Sequence, residues 1–268
     1  MSLDYNLGIS NKIVGNGEFE FDDAGTTSQT IELGAEYTLI DKLAISVGLP
    51  FALLKYTGDK DLYPHPGGGD YDDGTTHKTL TDLRANVAYQ VLDGVVALSP
   101  HIGVSIPVAD YETVGNTVAG RHLKQLHLGL AIGKVFGMAY FQAAYEFSLV
   151  EKFDETAETK EIGQNHSDGS LVIGYKLLEG KLDVNLGANF RLAHGGKDLS
   201  ELNFANMTDP LVLNHDPILK ENVVLAGGGI GYDLTEKLSL SLAVRAFVTG
   251  RNTQNANVIG LGLRWAAL

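Results

Sequence analysis

The sequence contains no cysteine, which removes disulfides and thiolate metal sites and is compatible with an oxidising compartment. It has one tryptophan, seven prolines and no apolar run longer than a few residues, so none of its segments reads as a transmembrane helix. Any membrane span must be β. Lysine and arginine total 20 against 33 acidic residues, a net charge of −13. That balance argues against nucleic acid, which requires clustered cations.

What the sequence does have is alternation. Ile31, Leu33, Ala35, Tyr37 and Leu39 interleave with Thr30, Glu32, Gly34, Glu36 and Thr38, giving one apolar and one polar face to an extended chain. The pattern restarts twelve times, over 3–14, 28–39, 43–56, 79–92, 95–107, 123–135, 139–150, 168–177, 181–193, 222–232, 238–249 and 257–266. Alternate connections are turns of a few residues, and the others are long: 15–27, 57–78, 109–122, 151–167, 194–221 and the shorter 250–256. No change of composition divides residues 1–268, so they form one domain. An even strand number with short turns at one rim and long loops at the other predicts a twelve-stranded antiparallel transmembrane β-barrel of the outer-membrane type.

Alternation does not say which face points outward, because a soluble lipid-binding barrel would turn its apolar face in. The aromatic residues favour the membrane. Tyr37, Tyr89, Tyr175, Tyr232 and Trp265 sit on the apolar face near one rim, where amphipathic rings form a girdle at a lipid–water boundary. The polar face is then the lumen. Its charged and imidazole residues are expected to include Glu32, Glu36, Asp82, Arg84, His101, His127, Glu146, Arg191, Arg245 and Arg264, and almost no lysine. Such charges could set up a transverse field in a selective pore, or pair into a plug, since buried charges must be matched. Arg264 is expected to meet Asp4 where the last strand closes on the first. The six long loops carry the whole net charge and should attract divalent cations.

Catalytic and metal motifs are weak. In the run Asn165-His166-Ser167-Asp168-Gly169-Ser170, adjacent His166 and Ser167 point to opposite faces of a strand, and a nucleophile and base must be within hydrogen-bond reach. No catalytic residue is assigned. The acidic run at Asp70–Gly74 lacks calcium-loop spacing, and the glycines from Gly227 to Gly231 sit inside a strand, so they match no nucleotide fingerprint. His101 and His127 lack a third metal ligand. No metal or cofactor is expected.

Thr81-Asp82-Leu83-Arg84 leading into Ala88-Tyr89, then Ser105-Ile106-Pro107, Asp110-Tyr111-Glu112-Thr113 and Gly120-Arg121, resemble strand-end segments of a bacterial outer-membrane family described as transporters of the meta-pathway of phenol degradation. The resemblance implies a channel for small, often hydrophobic, molecules and no catalytic residue. The expected function is therefore passive passage of small solutes through the outer membrane of a Gram-negative bacterium, with that membrane's lipid as a partner. The alternatives are a narrow structural or loop-binding barrel and a lipid-modifying enzyme.

Overall fold

The computed structural model describes residues 1–16, 20–58, 72–153, 162–206 and 208–266. Its strands are β1 (Ser2–Ile9), β2 (Lys12–Val14), β3 (Glu20–Asp22), β4 (Thr26–Ile40), β5 (Leu43–Tyr56), β6 (Thr76–Leu80), β7 (Asp82–Tyr89), β8 (Ala97–Pro107), β9 (Gln125–Phe136), β10 (Ala139–Val150), β11 (His166–Leu177), β12 (Leu182–Ala193), β13 (Asn222–Thr235), β14 (Leu238–Arg251), β15 (Thr253–Gln254) and β16 (Asn257–Trp265). Each barrel strand pairs antiparallel with the next, and β1 closes the sheet by pairing with both β16 and β4. β6 and β7 both pair with β5 and act as one interrupted strand, so the barrel has twelve.

The interruption has a local cause. β5 carries Pro50, which has no N–H to give to a ladder; opposite it the pairing skips Thr81, whose N–H reaches the Pro50 carbonyl at 3.1 Å. A second departure from the expected strands lies at the start. The segment 3–14 does not run straight: after Ile9 the chain turns at Ser10–Asn11, where the Asn255 side chain accepts the N–H groups of Asn11 and Lys12 at 3.1 Å. It then re-enters as β2 in a small rim sheet with β3 and β15. Strands 43–56 and 139–150 lie where the alternation placed them.

The apolar core lies in the long loops, not inside the barrel. Ala24, Leu123, Phe153, Leu199, Val212 and Ile218 pack together, drawing on four of the connections at the long-loop rim. The loop 194–221 contributes a 3-10 turn at Leu199–Glu201 and two short helices, α1 (Pro210–Leu213) and α2 (His215–Ile218). Their starts were encoded: Asp198 and Glu201 form a reciprocal capping box, and Asp209 caps α1 with Pro210 as its first residue. The loop 108–124 crosses the mouth, because Tyr111 donates to Asp82 of β7 at 2.5 Å while Arg121 reaches Glu221, just before β13, at 3.1 Å. The long-loop rim is thus capped by a small folded layer.

Candidate functional site

Contacts between non-adjacent strands identify the inner face. Arg84 of β7 forms an ion pair with Glu146 of β10, a contact available only across the interior. Register carries that orientation around the ring: Glu146 lies opposite Gly129 and Asp168, Gly129 opposite His101, and Asp168 opposite Arg191. The opposite parity presents exposed apolar residues, among them Leu33, Leu128, Leu186 and Leu240. The expected girdle residues Tyr37, Tyr89, Tyr175, Tyr232 and Trp265 are on that outer face and all exposed.

One wall of the interior is filled. Glu146 receives Arg84, His101 Nε2 at 2.8 Å and His127 Nδ1 at 3.3 Å. His127 is further fixed by Ser105 at 2.7 Å and Ser148 at 2.8 Å. Gly129 makes this possible: a Cβ there would run into the His101 ring and crowd the Tyr145 carbonyl, so the missing side chain leaves the lane through which His101 crosses β9 to Glu146. Higher up, Arg191 grips Asp168 with two nitrogens, at 2.8 and 3.3 Å, His166 meets the same carboxylate at 3.3 Å, and Glu221 bridges Arg191 (3.5 Å) and Arg121 (3.1 Å). Paired, hydrogen-bonded charges of this kind are how a polar interior tolerates burial.

The other wall is bare. Along β12, β13 and β16 the inward positions include Gly187, Gly227, Gly229, Gly231, Gly260 and Gly262. Two cavities lie against it. The lower, of about 430 Å³, is bordered by Asp4, Asp183, Gly229, Gly231, Arg245 and Arg264; the upper, of about 380 Å³, by Arg121, Arg191, Glu221, Val223 and Leu225 beneath the loop layer. Between them stands the row Gly227–Arg245–Val258. Among the described residues Arg245 has no carboxylate partner; it donates to the carbonyls of Gly228 at 3.0 Å and Val244 at 3.2 Å and lies over Gly187.

The expected pairing of Arg264 with Asp4 does not form. Arg264 stands opposite Ser2, and Asp4 opposite Gly262, one inward step away, so both face the lower cavity without an ion pair. Glu32 leans over Gly48 and Glu36 stands opposite Ser46; neither makes an ion pair among the described residues. Asp82 takes the Tyr111 hydroxyl. Tyr111 and Arg121 stand in the motifs quoted above without a partner, and Glu221 in none; these loops have no periodicity from which their contacts with Asp82 and Arg191 could be read. Asp70 and Tyr71 lie outside the described residues, while Asp72 and Asp73 are engaged by Asn116, Thr117, Thr75 and His77. Among the described residues no group of three or more His, Asp or Glu is placed to hold a metal ion.

No family model and no curated protein matches the chain. Solved structures do. An outer membrane channel from Pseudomonas putida F1 is similar with a TM-score of 0.73 at 14% identity, covering 98% of this chain and 93% of that one. The NanC porin gives 0.55 at 10% identity over 98% and 99%, and the β-domain of the Bordetella autotransporter BrkA gives 0.52 at 13% identity over 99% of each. The resemblance to the meta-pathway transporters stays a resemblance of strand-end motifs, which none of these comparisons confirms. What the chain shares with these proteins is the fold, a closed antiparallel barrel of the outer-membrane kind.

Proposed function

We propose that the protein is an outer-membrane channel of a Gram-negative bacterium for passive passage of small solutes, apolar and aromatic ones within its range, and that it performs no chemistry. The observation that carries this reading is the pair of internal cavities set end to end along the glycine wall and separated by one row containing Arg245. Of the lumen-facing Glu32, Glu36, Asp82, Arg84, His101, His127, Glu146, Arg191, Arg245 and Arg264, seven fall into two roles, while Glu32 and Glu36 line the lumen unpaired among the described residues and Asp82 anchors Tyr111. The Arg84–Glu146–His101–His127 and Arg191–Asp168 groups hold the filled wall, while Arg245 and Arg264 face the route and sort solutes by size and charge. The aromatic girdle seats the barrel at the lipid boundary, and divalent cations would collect at the acidic loops.

Planar-bilayer recording tests it. The wild-type barrel should give small, well-resolved conductance steps, and Arg245→Ala should enlarge them severalfold by clearing the row between the cavities. A silent wild type together with a silent Arg245→Ala variant would sink the channel reading. That result would favour the second one, a structural barrel whose work is done by its loops, which the folded layer over the mouth supports.

A further inference from the structure

A polar group stands among apolar neighbours on the outer surface at the start of β11. Ser167 has the outward parity at the start of β11, opposite Phe147 and Leu192. Its Oγ lies 2.7 Å from the Tyr145 hydroxyl and 2.7 Å from His194 Nε2, and the His194 ring packs on Phe147 with centroids 5.6 Å apart. Ser167 is only 2% exposed, covered by its two partners, so an ester carbonyl has no approach to its Oγ. The pair orients the imidazole. If Tyr145 donates to Ser167, and Ser167 donates to Nε2, both hydroxyls are partnered, the ring proton sits on Nδ1 and Nδ1–H is left to donate elsewhere; among the described residues it has no hydrogen bond.

The same imidazole borders a cleft of about 430 Å³ between the segment that enters β11 and the one that leaves β12, with Gly163, Asn165, Gly195, Gly196 and Lys197. A side chain at Gly195 would strike the Gly163 carbonyl, and one at Gly196 would sit 2.7 Å from the Lys220 nitrogen, so the backbone is bare there. Neither of these two N–H groups is hydrogen-bonded among the described residues. An imidazole, an ammonium and backbone amides make a set of donors, and the bordering acid, Glu201, faces Lys197 at 3.9 Å. Donors gathered in this way suit an anion. Below the cleft the outer wall continues with exposed Tyr145, Leu149 and Leu192, which suits acyl chains.

We propose that this rim cleft binds the phosphate of a phosphorylated lipid in the outer leaflet, with His194, Lys197 and the Gly195–Gly196 backbone as donors and Ser167 and Tyr145 as positioning residues. The proposal rests on the barrel lying in the outer membrane but not on its conducting. The test is native mass spectrometry of the full chain in detergent, titrated with bis-phosphorylated lipid A, with its fully dephosphorylated form, and with inorganic phosphate as competitor. The phosphorylated lipid should be retained at least tenfold better than the dephosphorylated one. His194→Ala and Gly163→Asp should each lower that retention at least fivefold. Gly163→Asp guards against misfolding as the explanation, since a Cβ at 163 meets nothing within 4 Å and only places a repelling charge in the cleft. Equal retention of the two lipids, or full retention by both variants, overturns the site. Displacement by an equal concentration of inorganic phosphate assigns it to the free anion and overturns the lipid. A barrel that conducts in bilayers yet shows no phosphate preference loses this site alone.

Discussion

At single positions the deciding quantity is backbone geometry or the space left by a missing side chain. The short turn after β11 has Glu179 at φ 58°, ψ 30° and Gly180 at φ 93°, closed by a 3.2 Å bond from the Lys181 N–H to the Leu178 carbonyl. These φ values match the two central residues of a type I′ turn, which prefers Asn followed by Gly, with Leu178 before them left-handed as well at φ 50°. Glycine is already in the second place, and glutamate holds the first against a left-handed penalty of about 1 kcal/mol. Glu179→Asn is expected to stabilise the barrel by roughly 0.5–1 kcal/mol, measured as the shift in a reversible urea transition of vesicle-folded protein; a neutral or destabilising result would show that the turn is not of this type. Parity made the facing of Glu146, Arg191 and their neighbours legible from the sequence. Partner choice was not, because Arg84 pairs three strands away and Arg264 misses Asp4 by one inward step, and neither distance exists in a linear pattern.

Among the elements, strands with uninterrupted alternation could be read closely, and every miss has a polar or conformational cause outside that pattern. Pro50 splits β6 from β7, Asn255 turns the chain between β1 and β2, and the capping residues Asp198 and Asp209 start structure in a loop that has no periodicity. The loop layer is also where pH should act. Desolvation, with a smaller push from Glu221, raises the Asp216 carboxyl to about 6 against the pull of Arg121. A folded-state pKa above the ordinary 3.8 means that the folded protein binds the proton more tightly. The resulting stability is complete below about pH 4 and is lost as pH rises through 6. Asp216→Asn should therefore be more stable than wild type at pH 7, by on the order of 1 kcal/mol, with the advantage vanishing near pH 4. Hydrogen exchange of amides in α2, compared at the two pH values after correction for intrinsic rates, would show it; the same difference at both would mean that the carboxyl is not the cause.

For the whole molecule the two sides of the wall are set by opposite solvents, and the same substitution should have opposite consequences on them. Leu130 lies midway along β9 on the outer face, 42% exposed, and in the membrane-spanning reading that exposure is to acyl chains. Gln142 on the neighbouring strand faces in, opposite Gly133 and Val172, and borders the lower cavity. An arginine near the bilayer midplane costs about 2–4 kcal/mol on the lipid face, whereas lumen positions tune selectivity instead. Leu130→Arg should thus lower the stability of vesicle-folded barrel by that amount. Gln142→Arg should leave stability close to wild type and, in the proposed channel, change conductance, since it adds a cation to the cavity that Arg245 borders. The pair of variants separates a membrane barrel from a soluble one, because a protein surrounded by water would accept arginine at an exposed Leu130 without loss. Equal stabilities for the two variants would remove the lipid from the account of the outer face and, with it, the basis for placing this barrel in a membrane.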